Sequence, residues 1–396
     1  MPVLDSEATL HTLHTVARAE VLRVQPPLLL NPPGSTRAQV ALIAGFLLGL
    51  LVLAYGTFVR EQPIFTEDRP RHPVPPMNFK KYEIEDYPRW FDMFLQDRVG
   101  FRTELINAHR RIHAAIFGEP ASAFAWVGRD GWLFLNVGDP HRGHHDKPSL
   151  EDRYAAWVAE LAQRKQWCDK RGIEYVVLLA PEKCSVYAEH LTEQQLRSLP
   201  QVEPTRVLME LLADCGVPTV SPLPELLAAK QRGLMYHPND SHWNADGAYL
   251  AHQALMKALG FNSTPLVAYA PRQYGHAGDL TRLVGGQGTL AAVQYLMSNA
   301  TPPDDAPPGE ELLDAIAKPK HLRPRRYTNS MAAGPAVLLL HDSFAEAMFP
   351  FLSQDCRMLT TAATDGFPVE YILANKPAVV VQELVGRKFY RCQPAR

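Results

Sequence analysis

The chain has 396 residues, is 46% hydrophobic and carries a formal net charge of −2. That length holds one large domain or two average ones, and that composition can bury a sizeable core. A near-neutral balance with no long basic run gives no sign of a nucleic-acid partner. The five cysteines show no CxxC or zinc spacing and no disulfide framework.

Residues 1–39 read as a cytoplasmic tail, Pro-rich over residues 25–33. Residues 40–59, VALIAGFLLGLLVLAYGTFV, contain no charge. They are long enough to cross a bilayer as one helix, and the stretch has no polar face to suit a soluble core. Arg18, Arg23 and Arg37 precede it, which places the N-terminus in the cytoplasm, although Arg60, Arg69 and Arg71 follow. A cleaved signal peptide fits less well, because a long tail comes first and no A-x-A site follows. Everything after the span is expected beyond the cytoplasmic membrane. Residues 60–81, rich in Pro and charge, read as a linker.

Residues 82–396 read as one α/β domain. Trp90, Phe91, Phe94 and Leu95 suit a first helix; Phe101, Leu105, Ile112 and Ile116 suit a second, ended by Gly118. Two short strands follow around Asp130-Gly131, with Trp132 in the core. A helix with Tyr154, Trp157, Val158 and Leu161 runs on to Gly172. Beyond it come a strand at 175–180, a helix at 207–213, a strand at 217–220 and a helix at 245–259. A strand at 336–340 follows, then a helix with Ala345, Met348, Phe349 and Leu352. Last come a strand at 357–360, a helix at 369–373 and a strand at 378–382. Helices alternating with short apolar strands predict a parallel sheet covered on both faces, with its site at the C-terminal ends of strands. Residues 261–330 fit least well and read as an insertion that walls the substrate cleft or as a long surface loop; their basic cluster at 318–326 reads as a solvated face or as a means of steering an anionic polymer.

Ser343 sits in a polar turn between the 336–340 strand and its helix. That geometry exposes a serine hydroxyl where backbone N–H groups, here of Ser343 or Phe344, can face an oxyanion. Serine needs a base. His242 supplies one, with Asp240 two residues before it to orient the imidazole. Lys183 and Tyr187 follow the 175–180 strand at the same sheet edge; with Tyr236 and Trp243, which flank the Asp-x-His turn, they are candidates for substrate contact. Metal is the competing use of these side chains. Neither His237, Asp240 and His242 nor His141, His144 and His145 have a recognised ligand spacing, so neither metal nor cofactor is expected.

Asp240-x-His242-Trp243 with Gly247-Ala248, followed later by Asp342-Ser343-Phe344, resembles the SGNH-hydrolase-like domain of the alginate O-acetylation proteins AlgJ and AlgX. The likeness runs from about residue 82 and includes residues 97–102, 128–135, Pro181-Glu182-Lys183, Gly278-Asp279-Leu280 and residues 376–383. It implies Ser343 as nucleophile, His242 as base and Asp240 as its orienting acid. It also implies an O-acetyltransferase acting on an exported polysaccharide through an acetyl-serine, anchored to the cytoplasmic membrane. Its acetyl group would come from a multi-spanning membrane O-acyltransferase. The order Asp, His, Ser suggests a circularly permuted flavodoxin-like sheet. The family's serine block carries Gly where this chain has His341, a residue with less backbone freedom. The same triad also suits a carbohydrate acetylesterase, and an inactive domain of this shape suits a polysaccharide-binding scaffold.

Overall fold

The computed structural model describes residues 36–58, 74, 87–96, 98–101, 104–105, 108–109, 112, 124–138, 148–200, 202–284, 289–296, 307–308, 313 and 323–394. The expected tail up to residue 35, nearly all of the linker, the end of the second expected helix at 113–118 and the histidines at 141–145 lie outside the described residues. Two compact units divide between Leu105 and Ile106.

In the first unit, α1 (Thr36–Phe58) starts four residues before the apolar run. Over Arg37–Thr57 it is long and apolar enough to cross a membrane, and its side chains are almost all exposed. Helix α2 (Tyr87–Gln96) carries the expected aromatic residues.

The second unit opens with the hairpin of β1 (Ala125–Val127) and β2 (Leu133–Leu135), antiparallel as expected. Asp130 and Gly131 turn it at φ of 56° and 76°, the left-handed region that Asp tolerates and Gly adopts freely. Trp132 is buried and stacks on His190. Helix α3 (Leu150–Asp169) begins at a capping box between Ser149 and Asp152. Then come β3 (Glu174–Ala180), α4 (Pro204–Asp214), β4 (Thr219–Val220), α5 (Leu223–Ala229) and α6 (Ala245–Ala258). Strands β5 (Ala270–His276) and β6 (Leu290–Leu296) pair as an antiparallel arm. After β7 (Arg325–Thr328) the chain runs through β8 (Gly334–His341), α7 (Phe349–Asp355), β9 (Cys356–Ala363), α8 (Val369–Asn375), β10 (Val379–Val385) and α9 (Arg387–Arg391).

Six strands form the main sheet in the order β4-β3-β10-β8-β9-β7. Every residue of β10 is buried. Neighbouring residues of a strand point to opposite faces, so both faces are covered there. Helices α3, α4 and α9 pack together, and α6 packs with α5 and α7. Two features differ from the expected all-parallel sheet. Strand β7 is antiparallel to β9 at the edge, and the β5–β6 arm stands apart from the sheet. Strands β7 (RRYT) and β5 (APRQYGH) carry no apolar run, as suits strands that keep polar residues in water, whereas β6 (LAAVQYL) does carry one.

The connectivity explains the order of the site residues. Numbered along the chain, the five parallel strands β3, β4, β8, β9 and β10 lie in the spatial order 2-1-5-3-4. Restarting the count at β8 converts this into 2-1-3-4-5 read from the other edge, the flavodoxin-like order. In that frame the Ser343 turn follows the first strand and the Asp240 turn follows the last. The circular permutation expected from the Asp, His, Ser order is therefore present in the strands themselves.

Candidate active site

Strand β8 ends at His341, and the chain turns at once into a 3-10 turn at Ala345–Met348 that leads into α7. Phe344, Ala345, Met348 and Leu352 are fully buried, which anchors the turn from below. His341 stays within β8 at an ordinary negative φ, so this turn does not require glycine. Asp342 braces it from the side. Its carboxylate accepts from the backbone N–H of Phe344 at 2.9 Å and of Val385 at 3.0 Å, and its own N–H donates to Glu383 at 2.9 Å. Burial and the Asp342 charge hold the Glu383 carboxyl well above the usual carboxylate range. Ser343 is thus fixed beside β10, at the switch point of the sheet, with its side chain exposed.

The Asp240 turn is closed on itself. Tyr236 and Trp243 form an antiparallel bridge, and Asn244 N–H donates to Met235 carbonyl at 2.8 Å. His242 Nδ1 lies 2.8 Å from Asp240 Oδ1, and His242 Nε2 lies 2.8 Å from Ser343 Oγ. The three residues singled out from the sequence therefore meet in one line of hydrogen bonds, 101 residues apart along the chain. With Asp240 accepting from Nδ1–H, Nε2 is left as the acceptor for the Ser343 hydroxyl.

Asp240 is 6% exposed and receives four donors. Oδ1 takes the backbone N–H and Nδ1 of His242; Oδ2 takes His276 Nε2 at 2.7 Å and Asp279 N–H at 3.1 Å. Burial alone would raise its carboxyl, but the hydrogen bonds from His242 and His276 outweigh burial and hold it well below the usual range. The converse applies to His242. Burial favours the neutral ring, yet the hydrogen bond to Asp240 and the charges of Asp240 and Asp279 raise it above the ordinary histidine value.

His276 and Asp279 were not among the residues singled out for chemistry. His276 ends β5, a strand without a sequence signal. Asp279 sits in the Gly278-Asp279-Leu280 segment, whose position was visible only through the family likeness. Gly278 has φ of 65°, and a side chain there would collide with the Asn239 carbonyl. That close approach lets Asp279 accept from Ser241 N–H at 2.8 Å and Ser241 Oγ at 2.5 Å.

The four expected substrate contacts are corrected by their burial. Lys183 is 2% exposed, and its ammonium donates into a cage of carbonyls from Leu133, His237, Pro238 and Asp240 at 2.7–3.0 Å. Tyr187 is 3% exposed, and its hydroxyl accepts from Met235 N–H. Tyr236 is fully buried and donates to the Pro181 carbonyl; Trp243 is buried and donates to the Phe344 carbonyl at 2.8 Å. All four polar tips are spent on backbone groups that shape the two turns. Phe344 is likewise corrected as an oxyanion donor, because its N–H is bound to Asp342.

Asp240, His242 and Asp279 each offer an atom within 4.8 Å of the others, close enough for one metal ion. Those atoms already face protein donors: Asp240 and His242 bond to each other, and Asp279 accepts from Ser241.

Residues 125–322, 198 of the chain's 396, match the family described as SGNH hydrolase-like domain, acetyltransferase AlgX. The chain belongs to that family. Among individual relatives, the probable alginate O-acetylase AlgJ of Pseudomonas fluorescens is 27% identical over 209 residues, 49% of this chain and 47% of that protein. The alginate biosynthesis protein AlgX of Pseudomonas putida is 31% identical over 196 residues, 46% of this chain and 40% of that protein. The chain thus spans less than half the length of these relatives. A DHHW family protein of known structure from Eubacterium siraeum shares the fold at 14% identity, with a TM-score of 0.51 over 69% of this chain and 94% of that one.

Proposed function

We propose that the chain is an O-acetyltransferase acting on hydroxyls of an exported polysaccharide, with alginate, named in its relatives, as the type of acceptor. The line from Asp240 through His242 to Ser343, with both links at 2.8 Å, is the observation that supports it most. Ser343 Oγ attacks the acetyl carbonyl of a donor while His242 Nε2 takes the hydroxyl proton. Ser343 N–H faces the resulting oxyanion. Collapse breaks the donor bond, and His242 returns the proton to the leaving group, which leaves acetyl-Ser343. A sugar hydroxyl then attacks and gives its proton to His242. Collapse releases the acetylated sugar, and Ser343 takes the proton back.

The donor is proposed to be a multi-spanning membrane O-acyltransferase that passes acetyl groups across the membrane. Helix α1 would hold this domain beside it, in a cytoplasmic membrane with residues 60–396 on the far side. A second reading, acetylesterase, draws support from the exposure of Ser343, which gives water a route to the acyl-enzyme.

The full chain in detergent, and its Ser343→Ala form, would be given an activated acetyl ester with and without alginate oligosaccharides, and products read by mass spectrometry. Ser343-dependent acetyl-sugar is the expected product. Ser343-dependent acetate alone would shift the assignment to the esterase. Identical behaviour of both proteins would leave only a polysaccharide-binding scaffold.

A further inference from the structure

The β5–β6 arm joins the site at one end and is free along one face. His276, the last residue of β5, holds Asp240 Oδ2. Even-numbered residues of β5 share the face of His276, and the register places Gln294, Ala292 and Leu290 on that same face of β6. On the opposite face Tyr295 meets the body of the domain: it packs on Phe351, and its hydroxyl donates to Asp246 at 2.7 Å. The arm is therefore pinned at two points, to the Asp240 turn and to α6, while Tyr274, Arg272 and Gln294 on the face of His276 are exposed around buried Ala292.

That open face has a composition unlike a plain solvated strand. Tyr274 is 42% exposed; its ring meets the His276 ring edge-on at 5.9 Å, and small Ala292 is its cross-strand partner. Arg272, exposed, follows two residues on, opposite exposed Gln294. From His276 the row runs outward as Tyr274, then Arg272 with Gln294. It combines a flat ring with a cation and an amide. Those are the groups that stack on a pyranose face, pair with a carboxylate and hydrogen-bond ring hydroxyls. The four residue steps from His276 to Arg272 span about 13 Å, the reach of a short oligosaccharide rather than of one sugar.

We infer that the open face of the arm, from His276 through Tyr274 to Arg272 and Gln294, is the track along which an anionic polysaccharide lies while one of its hydroxyls reaches Ser343. This rests on the acetyltransferase reading and gives its acceptor a place. The row starts at His276, bonded to Asp240 at the end of the catalytic line away from Ser343, so an acceptor of several sugars rather than one would join the two. Arg272 favours an acidic glycan over a neutral one.

The test uses the full chain in detergent with alginate oligosaccharides of one to eight sugars, and neutral cello-oligosaccharides as controls. In the Tyr274→Ala/Arg272→Glu double variant, KM for an alginate hexasaccharide should rise about tenfold or more. Formation of acetyl-Ser343, followed by mass, should change less than twofold, and single-sugar acceptors should be unaffected. Tyr274→Phe keeps the ring and should behave as the parent, which controls for misfolding of the arm. An unchanged hexasaccharide KM in the double variant would overturn the inference, and so would an equal loss with all acceptor lengths. If the parent chain transfers no acetyl group at all, the acetyltransferase reading fails separately. Binding of the hexasaccharide to Ser343→Ala, with and without the double change, then decides: weaker binding supports the track, and equal binding rejects it.

Discussion

At the scale of single residues, the site is an aspartate shared between two imidazoles. His242 uses one oxygen of Asp240 and His276 the other. Asp240→Asn should lower acetyl transfer by about 10⁴-fold, because the amide no longer selects the productive His242 tautomer. His276→Ala leaves Ser343 and His242 in place but frees one Asp240 oxygen. A loss of about tenfold to a hundredfold is expected, with recovery in His276→Gln, whose amide N–H still reaches the carboxylate. Full activity in His276→Ala would show that the second imidazole does not position Asp240. The pH dependence has a definite sign. His242 must be neutral to take a proton, and its surroundings favour the charged ring, so kcat/KM should rise with pH with a midpoint above 6.5. The Asp279 charge is one of the raising causes, so Asp279→Asn should move that midpoint down. A midpoint that stays put would remove Asp279 from the field at His242.

The sequence shows the positions of Ser343, His242 and Asp240 because each stands in a short polar turn next to an apolar element. It also places Lys183, Tyr187, Tyr236 and Trp243 near the site, but closeness along the chain does not say which way a polar tip points. All four point into backbone carbonyls or amides. His276 was invisible for the opposite reason, because it belongs to β5, whose sequence APRQYGH is neither strand-like nor helical.

Among elements, the two turns are built independently and then joined by Trp243 Nε1–H on the Phe344 carbonyl. Lys183 is the keystone of the first. Burial pushes its ammonium down to about 7, with Asp240 and Asp279 offsetting only part, yet three N–H groups converge on four carbonyls. Lys183→Met strands those buried acceptors and should cost about 3 kcal/mol or more, with faster amide exchange at residues 237–240 as the local readout. A second buried pair clamps α6 to the end of α7: Asp355 accepts from His252 at 2.7 Å, from Thr264 N–H at 2.8 Å and from the Thr264 hydroxyl. Burial would raise the Asp355 carboxyl, but these bonds hold it below its unfolded value. Its contribution is present above about pH 3.9 and is lost as pH falls through the lower folded value. Asp355→Asn should therefore cost about 1–3 kcal/mol at pH 7 and progressively less in acid, measured by denaturant melts at several pH values. A penalty independent of pH would assign the loss to packing alone.

For the whole molecule, most of the α/β alternation was legible because buried parallel strands are short apolar runs and helices repeat at their own period. Strands β7 and β5 were not, since their sequences RRYT and APRQYGH stay polar, and β6 lay in the stretch that fitted least well. The permutation was hinted at by the order of three residues but becomes explicit only in the strand order. Helix α1 carries its own test. Deleting residues 36–58 should move the protein from membranes to the soluble fraction in a cell fractionation, and retention in the membrane would point to a second attachment.

The permuted connectivity also dictates a timetable. Strand β10, latest of the ten in the chain, lies in the middle of the sheet, between β3 and β8. As the polypeptide emerges from a ribosome or a translocation channel, β3 with β4 and β8 with β9 can form only as two unconnected halves. Asp342 waits for both Glu383 and Val385. A chain stopped at Lys376 would leave a gap through its centre rather than a frayed edge. The turn that carries Ser343 is therefore completed only after nearly all of the chain has been delivered.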